Sequence, residues 1–195
     1  KGTRFRPLSL DLPKPLFPIA GLPMIQHHVE ALCKVEGLTE IILMGFFDET
    51  LFKGFIDSVA AETSVPIRYL REEQANGTAG GLYFYRDVVL QGNPDAVFVL
   101  HCDIGCAFPL QDMLTFHMES PRHCTVLGKE LTETESHKYG AMVVDPTTFE
   151  LRHYAEKPTT DISSIVNCGV YIFSPVCFDH LAKVGDDVNR GASAY

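Results

Sequence analysis

Basic side chains crowd one end of a chain that is otherwise acidic. Lys1, Arg4, Arg6 and Lys14 place four of the 16 lysines and arginines in the first fourteen positions, opposed there only by Asp11. The whole 195-residue chain carries 25 acidic residues and a net charge of −9. That balance argues against a non-specific nucleic-acid binder, whose affinity would come from neutralising phosphates along a strand. It admits a small anionic ligand, because the positive charge is gathered locally. Asp103 is a second candidate, since it follows the apolar run D-A-V-F-V-L-H-C at residues 95–102. A carboxylate at the end of a buried strand is a natural magnesium ligand beside a polyphosphate, and equally a common turn or helix cap. Cys33, Cys102, Cys106, Cys124, Cys168 and Cys177 form no C-x-x-C pair and sit in apolar runs, so they read as reduced, buried thiols. A metal site from His101, Cys102, Cys106, His123 and Cys124 lacks the regular ligand spacing of zinc sites.

The elements that must position these residues alternate. Residues 22–34 show helical spacing, with Met24, Ile25, His28, Val29, Leu32 and Cys33 on one face and Pro23 suited to a first turn. Residues 40–47 read as a buried strand, Asp48 as the cap of a helix over 49–62, and 66–70 as the next strand. A helix is expected over 78–90, then a central parallel strand over 95–102 and a helix over 110–118. Strands follow near 123–128, 140–145, 150–155 and 166–173, with a last helix from Pro175. Repeated β–α units predict one α/β domain with a Rossmann-like, doubly wound, mostly parallel mixed sheet. Ligands of such sheets sit beyond the carboxyl ends of the strands, which is where Asp103 falls. No apolar run approaches the roughly 20 residues of a bilayer span, and no signal-peptide pattern is visible, so a cytoplasmic protein is expected.

Three further segments carry a likeness. Gly2-Thr3-Arg4-Phe5-Arg6-Pro7-Leu8-Ser9 with Pro13-Lys14-Pro15-Leu16 resembles the phosphate loop of the sugar-phosphate nucleotidyltransferases. The resemblance implies that Gly2 and Thr3 wrap a triphosphate with backbone N–H groups while Arg4 and Lys14 neutralise its charge. Glu72-Glu73-Gln74-Ala75-Asn76-Gly77-Thr78-Ala79-Gly80-Gly81 resembles the base-reading loop, with Ala75-Asn76 in place of the usual Pro-Leu. By that likeness Gly77 and Thr78 present backbone groups to the base. Glu72 could accept from the adjacent N1–H and N2–H donors of guanine, a pair that uracil and adenine do not offer. Tyr139-Gly140, Glu156-Lys157-Pro158 and Asn167-Cys168-Gly169-Val170-Tyr171 resemble the sugar half. There Gly140 would offer backbone contacts, Glu156 would accept from sugar hydroxyls, Lys157 would pair with the sugar phosphate, and Asn167 would hydrogen-bond the hexose.

Within the family, Lys1 to Ser9, Pro15-Leu16-Phe17-Pro18, Pro23 to His28 and Gly80-Gly81-Leu82-Tyr83 look like the alpha-type chains of the mannose-1-phosphate guanylyltransferase branch. The resemblance implies GTP, mannose 1-phosphate and GDP-mannose as ligands, Mg2+ on Asp103, and a catalytic beta-type partner in a homo- or hetero-oligomer. The sugar phosphate oxygen would attack the α-phosphorus in line, with Arg4, Lys14, Asp103 and Lys157 as the catalytic set. An alternative expectation is a regulatory chain that senses GDP-mannose without turnover, and a further one is transfer to another sugar or from another base. His101-Cys102 stands ahead of Asp103 where the family usually has Asn and a small residue. The sequence reads as a nucleotidyltransferase domain truncated at both ends, lacking its first strand and C-terminal part. A left-handed β-helix and a second metal aspartate are expected beyond it.

Overall fold

Apolar side chains at i, i+3 and i+4 settle where the first helix lies. In the computed structural model, α1 (Met24–Leu32) buries Met24, Ile25, His28, Val29 and Leu32, the spacing of a single helical face. The structure describes residues 12–73, 77–132, 136 and 138–189, with the backbone alone at Thr78 and at residues 184–189. Ahead of α1, Lys14–Leu16 form one 3-10 turn, and β1 (Pro18–Ile19) pairs with β2 (Leu22–Pro23). Their two-residue turn holds Ala20 at φ 52 and Gly21 at φ 87, the pair of positive φ angles that a tight hairpin turn requires.

The next unit is βαβ. β3 (Ile41–Gly45) and β4 (Ile67–Arg71) pair in parallel, with α2 (Thr50–Glu62) as the crossover. The cap position of α2 is Glu49 and not the expected Asp48, which stands one residue earlier and still braces the start of the helix. Its Oδ1 accepts from the Thr50 N–H at 3.0 Å and the Thr50 hydroxyl at 2.6 Å. The single helix expected over 78–90 is broken into α3 (Gly77–Phe84) and α4 (Arg86–Val89). The cause lies in two side chains at the junction. The Tyr85 hydroxyl donates to the Arg71 carbonyl at the end of β4. The Arg86 guanidinium donates to the Tyr83 carbonyl at 2.8 Å, an acceptor that a continuous helix would have used for its own i→i−4 ladder.

β5 (Val97–Leu100), β6 (Cys124–Glu130), β7 (Gly140–Val144), β8 (Leu151–Glu156) and β9 (Ile165–Phe173) form a five-stranded sheet. The nine-residue β9 is its shared strand and pairs antiparallel with β5, β6 and β7. The expected central parallel strand at 95–102 is therefore antiparallel to its described neighbour. Its apolar run reports burial and not direction, since Phe98 and Leu100 pack against the core. α5 (Leu110–Glu119) and α6 (Val176–Asn189) complete the mixed α/β fold, and α6 lies against α3. One core unites the layers: Ile25 and Val29 of α1, Leu43 and Ile67 of the parallel pair, Leu110 and Met113 of α5, and Val170 and Ile172 of β9. The six cysteines are free, but Cys124 is exposed and the other five are half-buried, so the expectation of full burial is corrected.

The turn between β7 and β8 is set by one carboxylate. Asp145 accepts from the Thr147 and Thr148 N–H groups, each at 3.0 Å, and from Arg152 at 3.2 Å. The Thr148 and Thr147 N–H groups, with Arg152 behind them, draw the Asp145 pKa from an ordinary 3.8 down to about 2. A lowered folded-state pKa stabilises the fold above the unfolded value and loses that contribution as pH falls through the folded one. Asp145→Asn is therefore expected to lower Tm near neutral pH, with the difference from wild type shrinking between 3.8 and about 2. Thermal unfolding followed by circular dichroism across that range checks it.

Candidate functional site

Two oppositely charged side chains far apart in sequence meet at the end of β5. Lys14 Nζ lies 2.6 Å from Asp103 Oδ2, across 89 positions of chain. The P-K-P lysine comes from the 3-10 turn, and Asp103 stands three residues past β5. Hydrogen bonding from Lys14 holds the Asp103 carboxyl below its ordinary range, with burial working against it. The pair is partly exposed, at 27% and 49% of side-chain area, and such pairs add about 1 kcal/mol or less to stability. Its consequence is local: an ammonium and a carboxylate are fixed side by side at the strand's carboxyl end.

The backbone leading to Asp103 is pinned from two sides. The His101 N–H donates to the Gly169 carbonyl at 3.0 Å, extending the β5–β9 pairing by one bond. The His101 carbonyl faces Nε2 of the buried His28 at 3.1 Å, while His28 Nδ1 faces the Met24 carbonyl at 3.1 Å. His28 thus ties α1 to the strand end, and its burial pushes the imidazole pKa down. The His101 ring lies edge-on to Tyr171, with centroids 5.8 Å apart, and against Gly169. A Cβ on Gly169 would stand 2.8 Å from His101 Nδ1 and 2.8 Å from Ile104 Cδ1, and its φ is +69°. His101, which departs from the family pattern, therefore fits because the facing residue has no side chain.

Glu72 sits just past β4 and donates its own N–H to the Gly45 carbonyl at 2.7 Å. Its Oε1 is buried and has no hydrogen-bond partner among the described residues. Burial raises its carboxyl pKa. An orphaned acceptor of this kind costs about 1–3 kcal/mol, so it points to a donor that arrives with a ligand. Gly81 of α3 makes the room, since a Cβ there would lie 2.8 Å from Oε1 and 2.8 Å from Met44 Sδ. Gly77 opens α3 at φ +70°, a conformation that glycine adopts without strain.

The alternation of β7, β8 and β9 puts Gly140, Tyr154, Glu156, Asn167 and Tyr171 on one sheet face. Tyr154 donates its hydroxyl to Glu156 Oε2 at 2.6 Å, and Lys157 Nζ lies 3.5 Å from Glu156 Oε1. Glu156 is held below its ordinary pKa first by Tyr154, with Lys157 and His101 adding to the effect. His101 adds a small lowering at Asp103 as well. Asn167 is locked from both ends: its amide nitrogen donates to the Tyr171 hydroxyl at 2.8 Å, and its oxygen accepts from the Gly169 N–H at 2.7 Å. Lys157 has φ +43, a strained angle for a residue with a side chain, of the kind that gathers at binding sites.

The structure thus brings Lys14 to Asp103, and Gly140, Glu156, Lys157 and Asn167 to one patch. Gly2, Thr3 and Arg4, expected at the phosphates, lie outside the described residues, as do Gln74, Ala75 and Asn76 of the base loop and the Thr78 side chain. Tyr154 is not singled out by the sequence although it shares strand parity with Glu156, and Tyr171, present in the Asn167 segment without a role of its own, shares parity with Asn167. The small residues Gly81 and Gly169 become meaningful only against Glu72 and His101. Among the described residues no three His, Cys, Asp or Glu side chains form a ready metal cluster. Asp103 alone fits as one carboxylate ligand of a hard cation whose other ligands would be phosphate oxygens and water. No helix among the described residues is long and apolar enough to cross a membrane.

A model of the nucleotidyl transferase family matches residues 1–194. A Dictyostelium discoideum protein named mannose-1-phosphate guanylyltransferase regulatory subunit alpha is 55% identical over 188 residues, covering 96% of this chain and 46% of that protein. The Homo sapiens protein of the same name is 50% identical over 186 residues, 94% of this chain and 44% of its own length. The chain therefore spans less than half the length of these curated relatives. Among solved structures, a glucose-1-phosphate thymidylyltransferase from Bacillus anthracis superposes with a TM-score of 0.79 at 22% identity, over 92% of this chain and 70% of that one. An apo UDP-glucose pyrophosphorylase gives 0.75 at 20% identity, over 93% and 76%. These likenesses show the fold of the nucleotide-diphospho-sugar transferases.

Replacing Gly169 by Ala meets both a positive φ and a close approach, and is expected to lower stability by more than about 1 kcal/mol. A shift in the urea midpoint measures it, and an unchanged midpoint would show that His101 yields freely.

Proposed function

The chain belongs to the nucleotidyl transferase family, and we propose that it is the nucleotidyltransferase domain of an alpha-type, regulatory subunit of mannose-1-phosphate guanylyltransferase. In that role it binds GDP-mannose, and GTP with mannose 1-phosphate, while turning them over slowly. The observation that carries the reading is the meeting of Lys14 and Asp103 at 2.6 Å, beside a sheet face that holds Glu156 and Lys157. A cation and a carboxylate at the end of β5 face phosphate chemistry, and the second charged patch faces the sugar. The regulatory part of the proposal is supported by the names of the relatives in Dictyostelium discoideum and Homo sapiens.

Each residue has a role in this reading. Gly2, Thr3 and Arg4 would take the polyphosphate together with Lys14. Glu72 would accept from guanine N1–H and N2–H with the oxygen that is otherwise orphaned, and Gly77 and Thr78 would line the base. Gly140, Glu156 and Asn167 would contact the hexose, and Lys157 its phosphate. Mg2+ on Asp103 would neutralise phosphate charge when bound. The chemistry of the family is an in-line attack by the sugar phosphate oxygen on the α-phosphorus, with pyrophosphate leaving. Catalysis of that kind is positioning plus electrostatics, so loss of one well-placed donor costs about 100- to 1000-fold in rate. Engagement of one Asp103 oxygen by Lys14 fits a site that keeps binding while losing rate. The proposal extends to a catalytic beta-type partner, an oligomer, and a left-handed β-helix following the domain.

With purified full-length chain alone, calorimetry is expected to show GDP-mannose binding, and a pyrophosphate-release assay to show turnover well under about 1 s⁻¹, the low end of ordinary enzymatic rates. Faster turnover would make the chain a catalyst in its own right. Glu72→Gln is expected to reduce the preference for GDP over UDP by about 10- to 100-fold, the worth of hydrogen bonds to a charged group. Equal preference in wild type and variant would remove Glu72 from base recognition.

A further inference from the structure

Tyr154 stands in the sugar half of the site without a role. Its hydroxyl donates to Glu156 Oε2 at 2.6 Å. Its ring and hydroxyl lie over Gly140 so closely that a Cβ there would run into both. The residue is 41% exposed, so it is not locked into a core. Both oxygens of Glu156 are engaged, one by Tyr154 and the other by Lys157 at 3.5 Å.

We propose that Tyr154 is a positioning residue that restrains sugar binding, its phenol competing with a hexose for the Glu156 carboxylate and the surface of Gly140. The inference rests on the reading of Glu156 and Gly140 as sugar contacts given above. A phenol O–H and a sugar O–H are the same kind of donor, and Glu156 accepts either. The ring covers a position of this face where the backbone is bare, so a pyranose can reach the Gly140 backbone only when the phenol turns aside. Turning it aside breaks the hydrogen bond to Glu156, which the incoming hydroxyl then replaces. A sugar whose hydroxyl meets Glu156 regains that bond; one that lacks a hydroxyl there leaves the carboxylate without its donor and is rejected. Tyr154 thereby sets a threshold, equal for every hexose, that the correct one passes at little net loss, and it acts on the sugar without touching the nucleotide. A ring laid over a strand glycine is also an ordinary packing device, and that role would leave sugar affinity unmoved.

The test is Tyr154→Phe in the full-length protein, which keeps the ring and removes only the donor. The quantity read is the ratio of Kd for GDP to Kd for GDP-mannose by calorimetry, with GDP binding serving as the control for folding. Removing the competing bond is expected to raise that ratio about threefold to tenfold, with Kd for GDP unchanged. In parallel, discrimination between GDP-mannose and a deoxymannose analogue lacking the hydroxyl that meets Glu156, identified by scanning the deoxy series, is expected to stay level, because both ligands displace the phenol from the same free state and its bond cancels from their ratio. A change in that discrimination would make Tyr154 a direct sugar contact and overturn the proposal. If wild type binds GDP-mannose and the variant ratio stays level or drops, Tyr154 is a packing residue or a direct sugar ligand, and the proposal is overturned while the function stands. If wild type binds GDP-mannose no better than GDP but binds UDP-glucose or dTDP-glucose better than its parent diphosphate, the proposed function fails. The Tyr154 ratio is then read on that sugar, with the same two outcomes. If none of the three is bound better than its parent diphosphate, both readings fall together.

Discussion

The backbone of His101 is held on both sides, and the geometry of the site hangs from it. Its N–H reaches the Gly169 carbonyl of β9 and its carbonyl faces the imidazole of His28 on α1. Three elements from distant parts of the chain thereby fix the two peptides that flank one residue, two positions before Asp103. Peptide geometry leaves only two soft torsions per residue, so fixing residue 101 leaves little freedom in where the Asp103 carboxylate emerges. Lys14 can then meet that carboxylate at 2.6 Å from a turn that packs beside α1. The bare Cα of Gly169 is the condition for all of this, since any side chain there would push on His101 and Ile104.

Rigidity is distributed unevenly around that junction. Asn167 is locked in place, with its amide bonded to Tyr171 and to the Gly169 backbone. The charged groups that would meet a ligand are the more exposed ones: Asp103, Glu156 and Lys157 have 49%, 61% and 63% of their side chains in solvent. Exposed pairs contribute little to stability and are easily exchanged for another counter-charge. A fixed frame with exchangeable charges suits a ligand that brings its own phosphates. Glu72 is the exception, because its buried oxygen has no hydrogen-bond partner among the described residues and is shielded from water.

Much of the frame was legible in the sequence, and the misses share a cause. α1, β3, α2 and β4 follow from residue period alone, because each buries one face or one run of side chains. The break at Tyr85 does not, since it depends on a hydroxyl finding the Arg71 carbonyl across space. The antiparallel partner of β5 does not either: an apolar run such as V-F-V-L records how deeply a strand is buried and says nothing of its neighbour's direction.

The sequence by itself determined the chemistry at hand: a P-K-P lysine, a strand-end aspartate, a Glu-Lys pair before proline, and a glycine-rich segment after Glu72. Their family likeness followed from the order of those segments. Only the tertiary structure decided which of them meet. Lys14 and Asp103 are neighbours because α1 and β5 are pinned through His28, a contact over 73 positions that no local pattern encodes. Tyr154 became a functional candidate only when its phenol was found lying over Gly140 and bonded to Glu156. Local periodicity fixes which face a side chain is on, while long-range packing fixes what stands opposite it, and recognition depends on the second.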